Sequence, residues 1–252
     1  MHIPDGYLGP QTWIALFALM LGIWYLAFKN ANKKLGPRNV PMLSFMAALS
    51  FILMMFNLPI PDGTTAHMVG AVLIAIVLGP YGATIALTIA LLIQALLFGD
   101  GGITALGANV FNMGVVMPFS GILLYIAVRK ALGHTSWSRA TASMVGAYVG
   151  LNLAALSAAI EFGIQPLIAP GYCPYGLDVA VPAMVSAHLL VGFVEAIATG
   201  SVVYYLSENR PDLLQLNKLA PGWMENMLKE DIPAVPEGSG GGAGPAQAER
   251  GV

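Results

Sequence analysis

The chain has 252 residues, 57% of them hydrophobic and 10% charged, with a formal net charge of -2 and a mean hydropathy of +0.72. A soluble domain usually carries about 25% charged residues, so this composition excludes a soluble globule and predicts an integral membrane protein. There is no basic patch for nucleic acid to bind. The single cysteine, Cys173, excludes an internal disulfide and argues against a thiolate metal site, so any metal ligands are nitrogen or oxygen.

The chain opens Met1-His2-Ile3-Pro4-Asp5-Gly6 and has no lysine or arginine before Lys29, so it lacks the basic start of a cleavable leader. Met1 is expected to be kept, because the bulky His2 blocks its removal, and its amine is taken as free of formyl. Residues 11–28 then form an apolar run of spanning length with Trp13 near one end and Trp24 and Tyr25 near the other. A basic link holding Lys29, Lys33, Lys34 and Arg38 leads to a second run at 42–56. Leu58-Pro59-Ile60-Pro61-Asp62-Gly63 cannot continue a helix and reads as a turn. His67 follows it, at the mouth of a third run, 68–78. Gly79-Pro80-Tyr81-Gly82 reverses the chain into a fourth, 83–98, interrupted only by Gln94. The fifth, 103–128, contains Asn109, Asn112 and Pro118, where a kink is expected. The sixth, 140–160, carries Asn152, and the seventh, 181–206, carries His188 and Glu195. The predicted fold is all-α with seven transmembrane helices in one domain, 1–206, that includes an N-terminal metal-binding segment. Residues 207–232 read as a cytoplasmic tail and 233–252, rich in glycine and proline, as disordered.

Seven spans place the termini on opposite sides. With the N-terminus outside and the C-terminus cytoplasmic, every lysine and arginine falls in a cytoplasmic piece: the 29–38 link, the 129–139 link or the tail. The outer segments carry Asp5, Asp62, Asp100 and Asp178, with Glu161 near the edge, and no base, a setting that attracts cations. The same topology puts Met1-His2 and His67 on one face.

That shared face matters because of what Met1 and His2 can do together. The terminal amine, the His2 amide nitrogen and the His2 ring can close two fused chelate rings about one metal ion. A nitrogen from His67 completes a square-planar set, the geometry that favours Ni(II) or Cu(II). Both the amine and the amide must lose a proton, so such a site weakens in acid. A histidine at position two is by itself equally an accident of the start, and His67 could simply bond Thr64 or Thr65. Ile3-Pro4-Asp5-Gly6 is echoed at Ile60-Pro61-Asp62-Gly63, each reading as a Pro-Asp-Gly turn, and the first could aim Met1 and His2 back into the protein.

His188 and Glu195, seven residues apart, share one helix face. Ionisable groups at that depth hint at function, although a buried hydrogen-bond network with Asn109, Asn112 or Asn152 is the simpler reading. His188, Asn109, Asn112 and Glu195 are therefore candidates for supporting the metal ligands rather than for ligation. His134 in a basic link is most simply solvated. The small-residue stripes Ala71-Ala75-Gly79 and Ala142-Gly146-Gly150-Ala154 suit close helix packing or a membrane partner. No Gly-rich phosphate loop ending in Gly-Lys and no His-Glu-x-x-His helix occurs, so the chain is expected not to be an enzyme, and any ATP hydrolysis belongs to another chain.

The opening Met1-His2-Ile3-Pro4-Asp5-Gly6, Gly63-Thr64-Thr65-Ala66-His67, Gly107-Ala108-Asn109-Val110-Phe111-Asn112-Met113-Gly114 and the segment from His188 to Glu195 together resemble the CbiM/NikM family. The resemblance covers roughly residues 1–206. It implies the substrate-binding S component of an energy-coupling factor (ECF) importer in the cytoplasmic membrane, with Met1, His2 and His67 carrying the metal through nitrogen. It also implies a transmembrane coupling (T) subunit, two cytoplasmic ATP-binding subunits and often a small accessory membrane protein. The transported ion is then Ni(II) or Co(II), with the square-planar set leaning to nickel, and no catalytic cofactor is expected. The competing reading is a stand-alone secondary transporter or channel for divalent metal using His188, Glu195 and the buried asparagines.

Overall fold

The computed structural model describes residues 1–37 and 39–228, so Arg38 and the expected disordered stretch 233–252 lie outside the described residues. The chain is mostly helical. Pro10–Lys34 forms α1, Val40–Met54 α2, Ala71–Leu78 α3 and Pro80–Ile93 α4, the last continuing as a π turn over Gln94–Phe98. Leu106–Phe111 (α5), a second π turn at Asn112–Val116 and Met117–Leu132 (α6) make one continuous rod. Ser136–Gly163 is α7, Gln165–Ile168 the short α8, Leu177–Asn209 α9 and Gly222–Leu228 α10. Prolines open α1, α2 and α4, where the missing N–H costs nothing.

Among the described residues, five helical stretches are long and apolar enough to cross a membrane: Pro10–Lys34, Pro80–Phe98, Leu106–Leu132, Ser136–Ile168 and Leu177–Asn209. The second and third expected spans are shorter, with 15 residues in α2 and eight in α3. The all-helical expectation is corrected at one place. The prolines at 59 and 61 stop the helix, and Leu58–Pro59 (β1) pairs antiparallel with Thr65–Ala66 (β2), Leu58 opposite Ala66. The echoed Pro-Asp-Gly sequences also turn in different registers. Pro4 O accepts from Tyr7 N with Gly6 at φ 85°, whereas Ile60 O accepts from Gly63 N with Asp62 at φ 58°.

The interior is apolar and so is much of the surface. On α9, Leu190, Phe193, Val194 and Ile197 are exposed while His188, Glu195 and Thr199 are buried. Polar groups inside and hydrocarbon outside suit a lipid solvent, where an unpaired polar group on the outer face is costly. A π turn, Asn112–Val116, ends two residues before Pro118, the position where a kink is expected.

The core is closed by near-contact of backbones. Ala142, Gly146, Gly150 and Ala154 are all buried, facing α6 and α3 rather than a partner. A Cβ on Gly146 would lie 2.5 Å from Gly121 O, and one on Gly150 2.7 Å from Met117 O. At the opposite end from the N-terminus, α9 runs three residues past the expected boundary at 206, and the segment after it folds back onto the α3–α4 reversal. Gln215 N donates to Val77 O, Leu219 N to Leu78 O, and Tyr81 N to Leu219 O.

Replacing Gly146 by Ala is expected to destabilise the protein by about 1–3 kcal/mol, the usual cost of overpacking. A thermal melt of the detergent-solubilised chain, read by tryptophan fluorescence, checks this.

Candidate metal centre

Of the first nine residues, Met1, His2, Ile3, Leu8 and Gly9 are buried, and Asp5 and Gly6 face solvent. Ile3 is gripped on both sides of its peptide by Asn109 of α5: Ile3 N donates to Asn109 Oδ1 at 2.8 Å, and Asn109 Nδ2 donates to Ile3 O at 3.1 Å. Gly102 N also donates to Ile3 O. Asp5 accepts from Ile103 N, Thr104 N and the Thr104 hydroxyl ahead of α5. Burial pushes its carboxyl up, but the Thr104 and Ile103 bonds outweigh that and hold it below the ordinary range. The fit is close, since a Cβ on Gly102 would come within 2.4 Å of Asp5 N. Further along, Gly9 N reaches Gln165 Oε1, and Cys173 N reaches Tyr7 O, so the connector after α7 is an ordered wall.

These anchors deliver Met1 and His2 to His67. Met1 and His67 are 0% and 1% exposed and His2 4%. The Met1 nitrogen lies 3.0 Å from His67 Nε2, and it also contacts Thr65 O and the Thr65 hydroxyl. The His2 and His67 rings stack with centroids 4.5 Å apart. His67 Nδ1 faces Met68 O at 3.1 Å; a carbonyl only accepts, so Nδ1 carries the proton and the Nε2 lone pair points at Met1. Burial holds the Met1 amine well below its ordinary value, and burial together with the neighbouring amine does the same for His67. Burial thus favours the neutral form of both nitrogens.

The His67 segment is fixed from two other helices. Glu195 of α9 accepts from Val69 N at 2.9 Å and Gly70 N at 2.8 Å, and Ser50 of α2 donates to Val69 O. Glu195 thus supports the loop that carries His67 rather than reaching the metal position. His188 bonds Met184 O through Nδ1 and lies near enough to His67 to oppose its protonation. Asn112 donates to Glu161, one turn away from the Asn109 anchor, and Asn152 to Tyr148 O. Among the described residues His188 and Glu195 are therefore not bonded to the asparagines: each group finds its partner in another segment or in its own helix.

Two groups not singled out as ligand partners in the sequence touch His2. Asp100 Oδ1 lies 3.0 Å from His2 Nδ1, and the buried Gln94 is the other polar neighbour of that ring. Burial lowers the His2 pKa, with Asp100 acting against it. Gln94 opens the first π turn and is the one amide side chain inside the fourth apolar run, a pairing of signals common at functional sites. Among the described residues no three His, Cys, Asp or Glu side chains form a metal cage.

The sequence matches a family described as the cobalt uptake substrate-specific transmembrane region, over residues 2–213. The chain belongs to the CbiM family. A fused nickel transport protein, NikMN, from Rhodobacter capsulatus is 45% identical over 236 residues, covering 91% of this chain and 68% of that protein. A solved structure titled a truncated transition metal transporter is 51% identical, with a TM-score of 0.78 over 82% of this chain and 99% of that one. A second, titled a transition metal transporter, is 46% identical with the same TM-score over 91% and 99%. CbiM proteins are the substrate-specific components of cobalt and nickel transport, and this chain is accordingly a multi-pass membrane protein of that class.

Replacing Asn109 by Ala removes both grips on Ile3. Nickel affinity of the purified chain, measured by calorimetric titration, is expected to fall about 10–100-fold, as for loss of other supporting groups around a metal, with helix content unchanged by circular dichroism.

Proposed function

We propose that this CbiM protein captures Ni(II), and accepts Co(II) less readily, as substrate through the Met1 amine, the His2 amide, the His2 ring and His67. The observation that supports this reading most directly is the 3.0 Å separation of Met1 N and His67 Nε2. With metal–nitrogen bonds of about 2.0–2.1 Å, adjacent corners of a square lie about 2.8–3.0 Å apart. Two neutral nitrogens held at that spacing form one edge of a square-planar set, which suits Ni(II) better than ions of higher coordination number. Chelation through the His2 ring in six-membered fashion uses Nδ1, so the ring must give up Asp100 when the ion binds.

In the cell the chain acts as the S component of an ECF importer, without an ATPase of its own. The two shorter helices, α2 and α3, complete seven spans with the five long ones, the N-terminal end facing outward and the basic ends of α1 and α6 facing the cytoplasm. A coupling T subunit and two ATP-binding subunits supply the energy, and a small accessory membrane protein accompanies them. The support for this arrangement is the absence of a phosphate-binding loop in the sequence and the single polarity of its lysines and arginines.

An added residue ahead of Met1 moves the amine out of chelating range of the His2 ring and is expected to abolish tight nickel binding; unchanged affinity would sink the chelate. His67→Ala is expected to weaken binding by more than about a hundredfold, beyond the range for supporting groups. Titration in weak buffer should release at least one proton per nickel, since the His2 amide must lose its own to bind. Release of none excludes the amide as a ligand. ATP-dependent uptake into liposomes only when the partner subunits are present separates this reading from a stand-alone transporter.

A further inference from the structure

The donors of the site are enclosed, yet one of their neighbours is not. The His2 side chain is 2% exposed and the Asp100 side chain in contact with it 21%. Among the acidic groups at this end, Asp5 is spent on Ile103 and Thr104, Asp62 sits in the left-handed position of its turn, and Asp178 lies in the first turn of α9. Of these four acids it is Asp100 that meets a proposed donor: Oδ1 faces His2 Nδ1 at 3.0 Å, while Oδ2 accepts from Asn57 Nδ2 at 2.6 Å. Its own amide donates to Gln94 O, the second neighbour of the His2 ring. Gly99 and Gly101 on either side both have positive φ, 64° and 86°, and a Cβ on Gly99 would meet nothing within 4 Å. The carboxylate is thus mounted between two glycines on a loop with open space on one side and the chelating ring on the other.

We propose that Asp100 is the capture ligand for the incoming divalent cation, the first protein group to replace a water of the hydrated ion and the one that passes it to His2. The inference rests on the nitrogen site described above. A carboxylate oxygen is a hard, charged ligand suited to a hydrated cation, whereas imidazole and amine nitrogens suit the ion once it has lost its waters. The position of Asp100 makes arrival and admission one event. A cation on Oδ1 displaces the His2 Nδ1 that now faces it at 3.0 Å, which frees the ring nitrogen that the chelate requires. Because Asp100 is not kept as a ligand in the final set, it lowers the barrier in both directions and leaves the equilibrium nearly unchanged. A residue that merely orients the His2 ring has a different signature: its loss destabilises the bound state and speeds release.

The test is stopped-flow nickel binding to the full chain in detergent, comparing wild type, Asp100→Asn, Asp100→Glu and His67→Ala. Asp100→Asn keeps the size of the side chain and a carbonyl oxygen for Asn57. It is expected to slow association and dissociation in parallel, each by about tenfold or more, within the range that charged clefts contribute to ion capture. The equilibrium affinity should stay within about threefold, less than the loss of a supporting residue causes, and Asp100→Glu should restore much of the rate. Unchanged association with faster dissociation overturns the proposal and makes Asp100 an anchor of the ring. If Asp100→Asn does not fold, wild-type association measured against ionic strength decides: a rate insensitive to salt overturns capture by a carboxylate. Failure of the underlying site is separately visible, since His67→Ala would then bind nickel as wild type does.

Discussion

Everything at the metal centre depends on the burial of the chain's own first residue. Termini normally fray in solvent, but here the Met1 amine is enclosed against His67 and Thr65. A buried amine is a costly group in its charged form, and burial shifts it towards the neutral one. The neutral amine is the form that can bind a metal. The same desolvation that makes the location expensive therefore prepares its chemistry.

Holding the terminus in place requires side chains from several helices, and each spends its polar groups on main chain rather than on the ion. Asn109 pairs with both sides of the Ile3 peptide, Asp5 braces the 103–104 turn, and Glu195 gathers two amides beside His67. In an apolar protein such groups must be satisfied internally, so they serve two purposes at once: they cancel their own desolvation and fix the donor spacing. The π turns at Gln94 and Asn112 belong to the same economy. One extra residue in a helical turn re-aims a polar side chain inward without ending the helix.

The short helix α3 links the two ends of the molecule. Its approach carries His67 and the Glu195 clamp, and its exit is stitched to residues 215–219 by main-chain bonds. Gly79 makes that exit tolerable, combining φ 88° with a Leu219 backbone that a Cβ would meet at 2.7 Å. With all eight of its residues buried, α3 is a rigid strut between metal loop and tail.

Much of this was legible before any coordinates. Composition dictated a membrane protein, the apolar runs located the helices, and the turn at 58–63 and the pairing of Met1-His2 with His67 could be read from residue type alone. These features are local: an apolar run of sufficient length must be helical in lipid because its peptide groups have no other partner. What the sequence could not supply was distance. Asn109 and Ile3 are 106 positions apart, Glu195 and Val69 126, and nothing in either local pattern links them. Asp100 looked like one acid among several on its face until the fold set it against the His2 ring, and residues 211–228 looked like a tail until their carbonyls and amides met α3 and α4. The sequence by itself determined which residues were chemically able to chelate a metal and which segments had to be helices. Tertiary structure alone decided which nitrogens stand 3.0 Å apart and which acid lies beside the His2 ring, because those relations come from packing between segments far apart in the chain.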